Sequence, residues 1–175
     1  LDFDYNGNSP LHIACKYGHK TLSEMFLNAM IEAEPDSLEY LLKQNSKSNT
    51  MGGTALHEAT MNGHTDILKS IIQTIKLSPV KEIKKFLDYK CKNNDGQTLL
   101  HMACAKGHME IVKYLIEDEC ADVNSFDNKR VTPIYLACEN GCLPVVKNLL
   151  DYTNADATIR NARSYNCLDI SIESH

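Results

Sequence analysis

The chain has 175 residues, 43% hydrophobic and 23% charged, which suits one folded domain with a sizeable core and excludes a disordered chain. Its 18 basic and 23 acidic side chains leave a net charge of −5, so nothing attracts it in general to nucleic-acid phosphates or anionic lipid. Seven cysteines, odd in number and without an even framework, read as reduced thiols of a cytoplasmic compartment; no apolar run approaches the roughly 18 residues of a membrane span, and no signal peptide opens the chain.

The first unit, about residues 3–45, opens on an extended finger, Phe3-Asp4-Tyr5-Asn6-Gly7, followed by Ser9-Pro10-Leu11-His12. Ser9 reads as a helix N-cap, and Pro10 takes the first helical position, where a missing N–H costs nothing. Leu11 points inward. His12 falls at the third helical position, where its imidazole reaches back to the cap as a polar analogue of a capping box. The small pair Ala14-Cys15 lets a neighbouring inner helix approach closely, and Gly18 supplies a left-handed turn into an outer helix. After that helix, Leu38, Leu41 and Leu42 stand at i, i+3 and i+4 behind Pro35, which predicts a short added helix over residues 35–42.

The second unit, about 46–90, repeats the scheme with Thr54-Ala55-Leu56-His57, Ala59-Thr60 and Gly63. Its own added helix covers residues 78–87, with Ile83, Phe86 and Leu87 matching the first at a shift of 45. The added pair packs on the convex side or forms a contact surface of its own. The third unit, about 91–124, carries Thr98-Leu99-Leu100-His101, Ala103-Cys104, Gly107 and an outer helix over 109–116, and Cys120 stands where a Gly is due before the next finger.

The fourth unit, about 125–158, has Thr132-Pro133-Ile134-Tyr135, Ala137-Cys138, Gly141 and an outer helix over 145–150. A truncated fifth, 159–175, carries the degenerate Asn166-Cys167-Leu168-Asp169 and stops where its outer helix is due. No Met opens the chain, and neither end has the polar outer face of a terminal repeat, so the array is expected to continue in both directions.

The fourth positions of the five tetrapeptides are spaced by 45, 44, 34 and 34 residues, and seven of the eight glycines fall in the same register. These recurring columns resemble the ankyrin-repeat family, whose Thr-Pro-Leu-His and Gly-His signatures return about every 33 residues. The resemblance spans essentially the whole chain. It implies an all-α solenoid of stacked helix-turn-helix units with extended finger loops, forming one array over 1–175. It also implies a scaffold that binds a protein partner through the concave face of fingers and inner helices. The stretch from Tyr165 to Glu173 is similar to late repeats of transient receptor potential channels of the A type, which implies an alternative: a cytosolic segment that anchors or couples an ion channel.

Six of the seven histidines sit in the two repeat columns, so architecture accounts for them and no metal site is expected. His57-Glu58 begins like a zinc-protease motif, but Met61 stands where the second His is needed. The glycines are dispersed at repeat spacing, with no phosphate-binding loop, and the side chains that catalysis would use are committed to the scaffold. No enzymatic activity, catalytic residue or cofactor is expected. Cys15, Cys104 and Cys138 fall in the small-residue column and read as buried, whereas Cys91, Cys120 and Cys142 read as the exposed thiols.

The positions left for a partner are the finger tips and the ends of the inner helices. They give Phe3 and Tyr5 in the first finger, Met51 in the second, Phe126 and Lys129 in the fourth, and Arg160, Arg163 and Tyr165 in the fifth. The slots before each turn glycine add Tyr17, Met61, Lys106 and Glu139. Aromatic residues, Met and Arg are enriched at protein interfaces, and Phe126, Arg160, Arg163 and Tyr165 together form a basic and aromatic patch suited to an acidic or aromatic segment. The expected partner is a protein and not nucleic acid, and this segment is not expected to enter a membrane.

Overall fold

The structure, a computed structural model, describes residue 4 and residues 8–33, 53–77 and 96–173. Phe3, Tyr5, Met51, Cys91 and both added helices expected at 35–42 and 78–87 lie outside the described residues.

Helices follow in short–long pairs: α1 (Pro10–Lys16) with α2 (Lys20–Ala33), α3 (Ala55–Met61) with α4 (Thr65–Leu77), α5 (Leu99–Lys106) with α6 (Met109–Glu117), and α7 (Pro133–Glu139) with α8 (Leu143–Tyr152). A last helix, α9 (Cys167–Glu173), follows the fifth finger. The odd-numbered helices pack side by side in sequence as an inner row, and each of the first four also packs on its own outer partner. The described residues form helices and no strands, as an all-α repeat solenoid should.

Capping residues set the inner helices. Ser9, Thr54 and Thr98 are N-caps with extended backbone, and each forms a capping box with the His three residues on. The hydroxyl of each cap lies 2.8 Å from Nδ1 of His12, His57 or His101, and the same nitrogen accepts the cap backbone N–H at 3.1–3.3 Å. Accepting an N–H requires a bare Nδ1, so these rings are neutral and carry their proton on Nε2. His101 directs that Nε2 at the carbonyl of Val131 in the next finger, 2.9 Å away. The fourth cap, Thr132, makes no side-chain cap bond, and Tyr135 stands in the His column there. In the fifth unit Asn166 and Asp169 rebuild the device: Asn166 Oδ1 accepts the Leu168 and Asp169 N–H groups, and the Asp169 carboxylate accepts the Asn166 N–H.

Apolar residues of the outer helices recur at helical spacing and turn toward the inner row. Ile67, Leu68, Ile71, Ile72 and Ile75 of α4 are buried, as are Ile111, Val112 and Leu115 of α6 and Val145 and Leu149 of α8. Each such side chain contributes roughly 1.5–3 kcal/mol. Leu11, Leu56, Leu100 and Ile134 point inward as their tetrapeptide position predicts. Leu168 does not. It is 61% exposed, because no described element packs over that side of α9.

A second set of bonds ties unit to unit. The glycines that end the inner helices, Gly18, Gly63, Gly107 and Gly141, have φ between 69° and 76°, the left-handed conformation that the chain needs at this turn. His64 Nε2 then meets the Lys16 carbonyl at 3.1 Å, and His108 Nε2 meets that of Met61 at 3.0 Å, two residues before the preceding glycine in each case. The imidazoles lie flat against those glycines: a Cβ on Gly18 or Gly63 would come within 2.8–2.9 Å of the ring. Outside this row, Glu24 accepts the Ser70 hydroxyl, and the buried Glu119 carboxylate accepts both Lys76 Nζ at 2.6 Å and the Tyr114 hydroxyl at 2.7 Å.

Candidate functional site

The fourth and fifth fingers are two copies of one turn. Asp127 Oδ1 accepts the N–H groups of Lys129 and Val131, and 34 residues later Asn161 Oδ1 accepts those of Arg163 and Tyr165. Each tip is closed by a further backbone bond, Asp127 N–H to Val131 O at 3.0 Å and Asn161 N–H to Tyr165 O at 2.8 Å. The fingers are joined to each other by the Ala162 N–H, which donates to the Lys129 carbonyl at 2.9 Å, and by Asn124, which bonds the backbone of Asn154 and Asp156.

In the third, fourth and fifth fingers one described tip residue is left-handed. In the third finger it is Gly96, with φ 79° and Asn128 of the next finger packed against it so closely that a Cβ would collide with Oδ1. In the fourth and fifth fingers the same position holds Arg130, φ 59°, and Ser164, φ 68°. An ordinary side chain in this conformation costs about 1 kcal/mol relative to glycine. Arg130 is therefore held in a backbone state that favours glycine, with its guanidinium over the Phe126 ring at 4.9 Å from the centroid.

Arg130 is the residue that sequence reading missed. It stands where the earlier fingers carry glycine, and that substitution in the register was the available signal. Lys129, Arg130 and Arg163 are all exposed on these adjoining tips, and Tyr165 is 42% exposed beside them. Phe126 is half-buried and serves as the platform under Arg130. Arg160 has a different place from the one expected: its guanidinium donates to the Ser164 carbonyl and to the Asp169 carboxylate, so it holds the fifth finger onto α9. Below the tips, Tyr135 is buried and shares a hydrogen bond with the Asn161 side chain. Burial first, then Glu139 and Cys167, push its phenol up, while Asn161 and Arg163 oppose them.

The remaining candidates form a separate row. Tyr17, Met61, Lys106 and Glu139 stand at the C-terminal ends of the inner helices, about 10 Å from their N-terminal ends for a seven-residue helix. Tyr17 is 61% exposed with the Lys16 ammonium 5.6 Å from its ring centroid, and Lys106 and Glu139 are exposed. Met61 is half-buried, and its carbonyl is taken by His108. These four do not join the finger-tip cluster.

The cysteines depart from expectation at two positions, Cys138 and Cys142. Cys15 and Cys104 are fully buried, and burial raises both thiols, Cys15 to about 12. Cys138 in the same column is only half-buried, because α9 covers less of α7 than α7 covers of α5. Cys120 is exposed, and its φ of 54° explains why that slot favours glycine; Cys142 is half-buried beside the Ala105 carbonyl. Among the described residues no group of three or more His, Cys, Asp or Glu side chains converges as a metal site would, and no helix is long and apolar enough to cross a membrane. An open groove of about 300 Å³ between Gly18, Gly63, His64 and Glu110 contains one imidazole, which is engaged with the Lys16 carbonyl.

No curated protein matches the chain. A family model described as ankyrin repeats, three copies, matches residues 1–81 and again 76–161. Such repeats generally mediate protein–protein interaction and are generally non-enzymatic. The two matches cover nearly the whole chain, in agreement with the cap, glycine and imidazole columns, and the chain belongs to the ankyrin-repeat family.

Proposed function

We propose that this array, one domain over 1–175 with units near 3–45, 46–90, 91–124, 125–158 and 159–175, is a cytoplasmic scaffold. It holds an acidic segment of a partner protein on its fourth and fifth finger tips. Lys129, Arg130 and Arg163 supply the charge, and Phe126 and Tyr165 supply the aromatic surface. The observation that carries this reading is Arg130, an exposed guanidinium kept at a left-handed position where the preceding finger has Gly96. A strained residue on a surface tip points to a role outside the fold. Phe3, Tyr5 and Met51 would extend the same surface along the earlier fingers, and Tyr17, Met61, Lys106 and Glu139 would border it at the far ends of the inner helices.

The test is selection of acidic, tyrosine-containing peptides against the wild-type chain, followed by titration of the selected peptides against variants. Lys129→Glu with Arg163→Glu should weaken binding by at least about tenfold, and more at low salt than at high. Arg130→Gly should raise stability by about 1 kcal/mol while weakening the same peptides. Full affinity in both variants would remove the site.

The similarity of residues 165–173 to channel repeats supports a second reading, in which the array anchors or couples an ion channel. Coding sequence beyond this segment either holds about six hydrophobic spans of membrane length or it does not, and their absence would end that reading.

A further inference from the structure

Two columns of the repeat stand on adjoining inner helices: the small residue near the end of one helix and the first residue of the next. The first column reads Cys15, Thr60, Cys104, Cys138, and the second reads Ala55, Leu99, Pro133, Cys167. Only the last pairing places a thiol in both. Cys138 lies one residue before the end of α7 and Cys167 opens α9, the two helices pack side by side, and Cys138 packs against the apolar core to which Cys167 belongs. The two thiols lie near enough for each to perturb the ionisation of the other.

We propose that Cys138 and Cys167 form a peroxide-oxidisable pair that closes into a disulfide between the last two inner helices. The roles are unequal. Cys167 is 5% exposed, whereas Cys138 is half-buried and is the more accessible residue of the two. The neighbouring Cys167 thiol pulls Cys138 below the usual thiol range, while the same neighbour and burial push Cys167 up. Cys138 is therefore the attacking sulfur and Cys167 the resolving one.

The Cys138 thiolate attacks one oxygen of hydrogen peroxide. The O–O bond breaks, hydroxide leaves and takes up the proton that Cys138 gave to solvent, and a sulfenic acid remains on Cys138. Cys167 then attacks the Cys138 sulfur as it loses its proton, the S–O bond breaks, and the departing hydroxide takes that proton as a second water. Two thiols and one peroxide become one disulfide and two waters, with two electrons passing from sulfur to oxygen. Closure brings the sulfurs to about 2.05 Å, which rotation about χ1 and a small shift of the short helix α9 provide.

The reduced chain, freed of reductant, should become about 2 Da lighter on exposure to hydrogen peroxide. In a Cys142→Ser background, trypsin should release residues 131–147 and 164–175 as one species that separates on reduction, with Cys138 and Cys167 as its linked thiols. Cys138→Ser and Cys167→Ser should each abolish it. Amide exchange over residues 167–173 should slow by about tenfold in the oxidised chain, since the link ties α9 to the preceding unit. Overoxidation of Cys138 without a link, a link through Cys120, or unchanged exchange over 167–173 would each overturn the proposal.

Discussion

The first two junctions of the array and the third are built to one plan with different parts. At the first two, His64 and His108 reach across to a backbone carbonyl at 3.0–3.1 Å and lie flat on a glycine. At the third, Cys142 stands in the imidazole's place, 3.9 Å from the Ala105 carbonyl, and a weak thiol contact replaces that imidazole bond. The caps change in the same direction: His at the first three, Tyr135 at the fourth, and an Asn–Asp pair at the fifth. So do the finger tips, where glycine gives way to Arg130 and Ser164. The early units spend their polar side chains on holding the stack, whereas the late units release positions for exposed charge and for a thiol pair.

Alanine at the turn glycines should break this comparison most visibly. Gly63→Ala should cost about 3 kcal/mol, since a left-handed backbone and a Cβ 2.9 Å from the His108 ring are both penalised. Gly141 has the same backbone but nothing within 4 Å, so Gly141→Ala should cost only about 1 kcal/mol. Urea unfolding of the two variants measures the gap, and equal losses would mean that imidazole packing contributes nothing.

Cys142→His should move the third junction toward the first two and add about 1 kcal/mol in the same assay. An unchanged midpoint would show that the bond to the Ala105 carbonyl is not what distinguishes the junctions. Thr60→Val tests the inner column at a similar or smaller scale. The Thr60 hydroxyl is fully buried without a hydrogen-bond partner, so removing it should stabilise the chain by up to about 1 kcal/mol.

The finest test is pH. Burial holds the His12 imidazole below the ordinary value near 6.5, against the smaller opposing pulls of the Gly53 backbone and Asp4. Below that ordinary value the unfolded chain binds more protons at this site than the folded one, so its stabilising contribution is complete above about pH 6.5 and falls on acidification. Urea midpoints should drop between pH 7 and pH 5, and the drop should be shallower in His12→Gln. A parallel pH dependence in the variant would place the sensitivity elsewhere. The fourth cap, with Tyr135 in the column, has no imidazole to protonate.

Much of the scaffold is legible in the residues alone, because its signals are local and repeated. A Ser or Thr three residues before a His specifies the capping box, and a glycine six residues after that His specifies the left-handed turn; neither depends on distant partners. The same locality made the inward Leu and Ile positions readable, until Leu168, whose exposure depends on what packs over it. The candidate surface was legible as a set of columns but not as contacts. Lys129 and Arg163 could be placed on finger tips, whereas the capture of Arg160 by Asp169 and the support of Arg130 by Phe126 follow only from how two fingers fold against each other and against α9.

The sequence by itself determined the repeat, its caps, its turns and the types of residue left over for binding, because each rests on backbone chemistry within about a dozen residues. The tertiary structure alone decided which imidazole crosses to which carbonyl, which cation Asp169 captures, and that Cys138 and Cys167 share one junction. Those are relations between units, and no pattern within one unit encodes them.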